Sequence, residues 1–221
     1  MSPVEKTYKI DVGRLIVVPI FAFLMTLTFL VVCRDVRALF PINIVKSLLL
    51  IHRVLSVCFY ALIIFLYFLR SAASSTSRSH VTNFIAIGAS CIPFALPFLG
   101  KPPLMTQGVL LVANLVITSG IVLSIYSVCS LGRSFSIIPQ ARKLVQSGPY
   151  HLIRHPLYLG ELISVFGIVL AGVTIPKITL YFVLVICQVY RAFQEEKLLS
   201  NVFPEYKKYC LKTARFIPGV F

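Results

Sequence analysis

Apolar runs of about twenty residues follow one another along this sequence, and that repetition constrains its fold more than any other feature. Residues 15–32, 48–69, 81–99 and 108–131 each approach the length of a helix that crosses a bilayer. Two more runs, 157–175 and 178–193, are parted only by Pro176 and Lys177, so the helices they form must turn back on each other as a hairpin. In hydrocarbon a segment must satisfy its own backbone amides, which makes the α-helix the form these runs take. The expectation is an all-α polytopic membrane bundle of about six spans. The sixth should be short, and the third should bend at Pro93 and Pro97.

Composition agrees with that reading. Of the 221 residues 58% are hydrophobic and 13% are charged, where soluble domains carry roughly 25% charged. The formal net charge is +14, an excess often met in nucleic-acid binders. Here, however, the Lys and Arg residues stand at the ends of apolar runs rather than in a stripe on a polar domain, so no nucleic-acid partner is expected and membrane lipids are. With six spans, and with Arg191 grouped with the tail, 15 of the 21 basic residues share one side: the N-terminal segment, the second and fourth loops and the C-terminal tail. The positive-inside rule then places both termini and the fourth loop in the cytoplasm.

Lys6, Lys9 and Arg14 precede the first run as in a signal peptide, but that run is longer than a signal's apolar core and no small-residue cleavage site follows, so it reads as a retained span. Residues 71–79 form a Ser-rich connector and 100–103 a Pro-containing turn. The six cysteines are scattered without a Cys-x-x-Cys pair and read as small buried hydrophobes.

Polar information is concentrated at 148–161 and 191–196. Glu161 and Arg191 are ionisable groups within or at the edge of apolar helices, where an unpaired charge costs about 2.5–3.5 kcal/mol on insertion scales, so they need partners or a wet cavity. His151 and His155 stand four apart, but Pro156 biases His155 out of the helical region and starts the helix near Leu157, so the two lose a common face and no metal site is expected. Arg191 and Glu195 form an i, i+4 pair with Gln188 one turn earlier, and Glu196 points about 100° away. That pair alone fits an interfacial salt bridge. With Arg154, His155, Tyr150 and Tyr158 at the same depth it also fits a cavity with both signs of charge and aromatic walls, suited to a zwitterionic, partly aromatic ligand. In the tail, Tyr206, Tyr209, Cys210 and Thr213 share one side of a short helix, and Lys207, Lys208 and Lys212 face elsewhere, toward anionic headgroups.

Gly148-Pro149-Tyr150, Arg154-His155-Pro156-Leu157-Tyr158-Leu159-Gly160, Arg191 with Glu195-Glu196-Lys197-Leu198, Phe203-Pro204-Glu205-Tyr206 and the final Arg215-Phe216-Ile217-Pro218 occur in that order. Over 131–221 the chain thereby resembles the isoprenylcysteine carboxyl methyltransferase family. The resemblance implies an integral-membrane methyltransferase that uses S-adenosylmethionine without a Rossmann domain, with residues 1–131 as four spans on the lipid and substrate side and 132–221 as the methyltransferase core. Carried over by motif position, cofactor contacts fall on Arg142, Lys143, Leu144, Val145, Tyr150, His155, Pro156, Leu157, Tyr158, Glu195 and Glu196. Arg191 becomes the residue facing a lipophilic methyl acceptor, a prenylcysteine or another lipid, and also a catalytic residue. Glu161 is the other catalytic candidate, a base if the acceptor is an amine or thiol. Phosphatidylethanolamine N-methyltransferase shares the glutamate pair, but the Gly-x-Gly expected of it is missing here; two further rivals differ in kind. A sterol-type NADPH double-bond reductase carries a similar Arg-His-Pro element, but Leu157 stands where its asparagine belongs, and a non-enzymatic basic adaptor would explain the charge alone.

Overall fold

The computed structural model describes residues 12–38, 40–71, 73–77, 79–96, 99 and 105–218; Lys6, Lys9, Pro97 and the turn at 100–103 lie outside these. Six apolar helices follow in order: α1 (Val12–Arg37), α2 (Ile44–Leu69), α3 (His80–Ala95), α4 (Gln107–Leu131), α5 (Pro156–Leu170) and α6 (Ile175–Val202), with a five-residue α7 (Tyr206–Cys210) in the tail. The chain is an all-α bundle, and α1, α2, α4 and α6 are long and apolar enough to cross a membrane. Large apolar side chains such as Phe23, Phe29, Phe65, Phe84, Phe182 and Ile186 point outward. A water-soluble protein would bury such residues, whereas in a bilayer they face lipid, as in an integral membrane protein.

The helix lengths differ from expectation at the hairpin. α6 is the longest helix, 28 residues, rather than a short last span. The chain turns at 171–174, ahead of Pro176 and Lys177, and both of these lie inside the first turn of α6. A proline there surrenders a backbone N–H that has no intrahelical partner in any case, so it starts the helix instead of breaking it. α5 has only 15 residues, about 22 Å against a hydrocarbon thickness of roughly 30 Å. α3 is similarly short and carries Pro93 within its last turn.

α2 packs on α1 and α4, α4 on α5, α5 on α6, and α6 on α3. The α4–α5 seam is the closest. A Cβ on Gly160 would sit 2.5 Å from Ser124 Oγ and 2.8 Å from the Gly120 carbonyl oxygen, and one on Gly120 would sit 2.4 Å from the Ser164 backbone nitrogen. The backbones touch because Gly120-x-x-x-Ser124 faces Gly160-x-x-x-Ser164, the small-residue pattern that lets membrane helices pack without a hydrophobic drive between them. Ser124 and Ser164 donate to the carbonyls of Gly120 and Gly160 one turn back, so their hydroxyls carry no unmet donor into the seam.

Hydrogen bonds fix which helix ends lie together. The Asn43 side chain before α2 donates to Gln107 at the start of α4, and Thr174 before α6 donates to the Leu99 carbonyl beyond α3. At the other end Arg14 in α1 donates to the Tyr67 carbonyl of α2. That second end carries the loop 132–155, the α5 N-terminus, the α6 C-terminus and the tail. The Ser-rich connector contributes more than a link: β1 (Ser75–Thr76) pairs antiparallel with β2 (Gln140–Ala141) of the loop.

Candidate active site

Loop 132–155 is held from below by α2 and α6. The Tyr67 hydroxyl, on a fully buried ring, accepts the Ile137 N–H at 3.0 Å, and Arg191 Nη2 donates to the Ile137 carbonyl at 3.2 Å. Ile137, Ile138 and Ala141 of the loop are themselves buried. Gly148, at φ 62°, takes the left-handed conformation that turns the chain into the short 3-10 segment carrying Pro149 and Tyr150. His155 then stands outside the helical region as N-cap of α5, whose first residue is Pro156, as the sequence pattern predicts.

The tail closes over this loop through one carboxylate. Glu196 accepts from Arg154 Nε at 2.8 Å, His155 Nε2 at 3.2 Å, and Arg215 Nε and Nη2 at 3.1 and 2.8 Å. Backbone bonds run beside it: the Arg154 and His155 N–H groups donate to the Ala214 and Arg215 carbonyls at 2.9 and 3.1 Å. Arg154 also donates to the Thr213 carbonyl. Burial alone would lower the Arg154 guanidinium, but Glu196 outweighs it and holds the group above its usual range. The Tyr209 hydroxyl donates to the Tyr150 carbonyl at 2.6 Å. Burial pushes the Tyr209 phenol up to about 12 and the Tyr150 phenol well above its ordinary value.

Glu195, one residue earlier, faces the other way. It accepts from Tyr158 Oη at 2.9 Å and lies 3.8 Å from His155 Nδ1. The His155 and Tyr158 rings stack at 5.3 Å and 4° between planes. The Arg191–Glu195 pair expected from i, i+4 spacing is replaced by a contact across to α5. Arg191, 2% exposed, lies 4.0 Å from Glu161, donates to Gln188 Oε1 at 2.9 Å, and rests over the Tyr158 ring at 4.6 Å. Gln188, fully buried, donates in turn to Glu161. Spacing on one helix cannot reveal this arrangement, because the partner of Arg191 comes from the adjoining α5.

Two spaces meet among these groups. A cavity of about 400 Å³ runs down the bundle from Arg154, His155, Tyr158, Glu161, Arg191 and Glu195, past Tyr60, Phe59 and Phe94, to His52 and Arg53. A smaller cleft of about 50 Å³ lies between loop and tail, lined by Gln140, Lys143, Leu144, Val145, Leu199, Tyr206 and Tyr209 among others. Leu131, Ser136, Tyr150, Arg154, His155 and Glu195 border both.

The sequence-expected residues divide accordingly. Lys143, Leu144, Val145, Tyr150, His155 and Glu195 line the cleft, while Leu157, Tyr158, Glu161 and Arg191 line the cavity. Arg142, Pro156 and Glu196 border neither: Arg142 donates to Gln140 at 2.6 Å, Pro156 is buried at the α5 N-terminus, and Glu196 forms the clasp. Sequence reasoning overlooked Ser136, Gln140 and Leu199 in the cleft and the bond from the Ile137 N–H to Tyr67. None of these carries a local motif.

Residues 109–206 match the phospholipid methyltransferase family. That family stands in one group with the isoprenylcysteine methyltransferases, and the matched stretch runs from the third residue of α4 to the first residue of α7, including Glu195, Glu196 and every cavity-lining residue of α5 and α6. The match marks a membrane methyltransferase in general terms. The chain is also similar to the cobalt-zinc-cadmium resistance protein CzcN of Cupriavidus metallidurans, 35% identical over 77 residues, which is 34% of this chain and 35% of that protein. The nickel-cobalt-cadmium resistance protein NccN of Alcaligenes xylosoxydans xylosoxydans is 35% identical over 82 residues, 36% of this chain and 38% of its own length. The matches thus span little more than a third of either relative.

Proposed function

We propose that this protein transfers a methyl group from S-adenosylmethionine to a lipophilic acceptor at the cytoplasmic face of a membrane. The observation that carries the reading is the shared border: Tyr150, His155 and Glu195 line both the polar cleft and the apolar cavity, so two ligands of opposite character can meet there. S-adenosylmethionine supplies an electrophilic methyl on a sulfonium. The donor set of the cleft fits that molecule: Glu195 can pair its ammonium, Lys143 its carboxylate, and Tyr150, Tyr206 and Tyr209 with Leu144 and Val145 can wall its adenine. At about 50 Å³ the cleft holds a water or two, so loading is accompanied by movement of the tail away from the loop.

On the acceptor side the cavity wall is mainly aromatic and aliphatic, and its polar groups gather at one pole around Arg191 and Glu161. An amphiphile such as an isoprenylcysteine or another lipid, with its reacting head at that pole, suits this shape. Counted along α6 from Ile175, Arg191 and Glu195 lie about 24 and 30 Å from the far end of the bundle, which is the depth of the opposite membrane interface. Placement and exclusion of water then supply most of the acceleration, since displacement at a sulfonium needs no covalent enzyme intermediate. We assign residues 1–131 to the acceptor side and 132–221 to the cofactor core, with Lys207, Lys208 and Lys212 on anionic lipid.

The test is ligand stabilisation of the purified protein in detergent. S-adenosylmethionine or S-adenosylhomocysteine at a hundred times its dissociation constant should raise stability by about 2.7 kcal/mol, and Glu195→Gln should abolish the gain. Stabilisation by NADPH, with none from either methyl-cycle ligand, refutes the reading.

A further inference from the structure

We propose that the acceptor is a single-chain amphiphile polar at both ends, and that Thr28, His52, Arg53, Ser56 and Tyr60 form a distal subsite for an uncharged hydrogen-bonding group at the end of its chain. The inference rests on the methyltransferase reading above and deepens its acceptor side.

The cavity does not end in hydrocarbon. From the pole at Glu161, Arg191 and Glu195 it passes a stretch walled by Phe21, Ile63, Phe94 and Ile121 and reaches Thr28 of α1 with His52, Arg53 and Ser56 of α2. These four lie inside α1 and α2, both long enough to span a membrane, where an ionisable side chain is costly unless it has a partner or a wet space to serve. Arg53 pairs with Asp35 of α1, and the His52 imidazole lies against Asn114 of α4. Arg34 also reaches Asp35, at 3.3 Å, but from outside the cavity.

This second pole offers both halves of a hydrogen bond. The Tyr60 hydroxyl interacts with Ser56 and Thr28. Ser56 and Thr28 donate their own protons to the His52 and Leu24 carbonyls, each at 2.8 Å, so their oxygens keep lone pairs for an incoming donor. The Arg53 guanidinium keeps N–H groups beyond the one given to Asp35. A hydroxyl, which both donates and accepts, matches that set. The charge of Arg53 is already met by Asp35, so a charged terminus would enter the bundle without a counter-ion of its own.

Length and volume agree on one chain. Tyr67 stands level with Arg191, since both bond the Ile137 backbone. His52 precedes Tyr67 by four turns of α2, about 22 Å. Half of a hydrocarbon layer is only about 15 Å, so a chain held by its head at the reactive pole runs past the midplane and meets the distal groups. An all-hydrocarbon end would strip water from them and return no hydrogen bond. An apolar cavity of about 150 Å³ takes benzene. On that scale the cavity's 400 Å³ takes about 16 non-hydrogen atoms, enough for one chain of this length and too few for a two-chain lipid.

The experiment measures binding to the purified protein in detergent by thermal stabilisation, with tetradecane-α,ω-diol, tetradecanol and octane-α,ω-diol as probes. The longer diol should bind at least tenfold more tightly than tetradecanol, which lacks the second hydroxyl, and than octanediol, which is too short to touch both poles. A double variant, Ser56→Ala with Tyr60→Phe, should lose the long diol's advantage over tetradecanol. The ratio of the two affinities is compared between proteins in one detergent, so unequal partitioning of the probes into micelles cancels. S-adenosylmethionine should stabilise the variant as it does the unaltered protein, which shows that the variant is folded. Equal affinities for long diol and alcohol in the unaltered protein, no stabilisation by the long diol, or an advantage that survives in the variant overturns the proposal and leaves the cofactor reading standing. Absence of stabilisation by S-adenosylmethionine in the unaltered protein sinks the methyltransferase reading itself.

Discussion

Replacing Glu196 by Gln removes the charge on which the tail and the loop converge. Its carboxylate accepts four hydrogen bonds, from two arginines and a histidine, at 2.8–3.2 Å, and its side chain is 12% exposed while those of Arg154 and Arg215 are 11% and 15% exposed. Bonds to a charged group are worth about 1.5–3 kcal/mol each, and breaking a buried ion pair costs about 3–5 kcal/mol because the partner charge stays behind. The four bonds share one acceptor and do not add. A loss of about 3 kcal/mol in docking the tail follows, which is roughly a hundredfold in the opening equilibrium. The amides of Arg154 and His155, which donate to the Ala214 and Arg215 carbonyls, report that opening directly. Hydrogen exchange of the purified protein should accelerate about a hundredfold at those two amides and stay unchanged at Val165, buried within α5 in a separate apolar cluster. The same variant should bind S-adenosylmethionine more weakly without touching it, because the wall formed by Tyr206 and Tyr209 is no longer held. Unchanged exchange at Arg154 and His155 would refute the clasp as the element that fixes the tail.

Other parts of the molecule make separate commitments. Gly160→Ala places a methyl against the Gly120 backbone and should cost about 1–3 kcal/mol, whereas Gly88→Ala, with nothing within 4 Å, should be neutral or raise stability slightly; equal melting shifts for the two would rule out the tight α4–α5 seam. Tyr67→Phe leaves the Ile137 N–H without its acceptor and should destabilise by about 1–3 kcal/mol, measured by denaturation in detergent; no loss would mean that the loop is held elsewhere. Lys208→Cys, introduced at an exposed position of α7, should be labelled by an impermeant maleimide only after the membrane is opened. Labelling in intact cells would invert the proposed orientation.

Much of the bundle is legible in the sequence because hydropathy is a property of each segment alone. The runs at 15–32 and 48–69 fall inside α1 and α2, and the run at 108–131 lies within α4. The hairpin was misjudged for a local reason: Pro176 reads as a break only until one knows that it occupies a helix's first turn. The short α5 seam was visible in principle, as Gly120-x-x-x-Ser124 and Gly160-x-x-x-Ser164, yet each half means little until its partner helix is known. The site shows the same limit. His155, Tyr158 and Glu195 come together from their motifs, but the contact of Arg191 with Glu161 and the fourfold use of Glu196 arise from helices brought together by packing. No spacing within one segment encodes such a pair.

The cavity that reaches from Glu195 to His52 is walled by both halves of the chain. Its wall on α4, α5 and α6 lies within the matched stretch 109–206, and its wall on α1, α2 and α3 lies outside it. Substitutions at Phe21, Phe59, Tyr60 and Phe94 would change the length and girth of the molecule that the cavity admits without touching Glu161, Arg191 or Glu195. Under the proposed function, the second half of the chain would be the tool and the first its chuck.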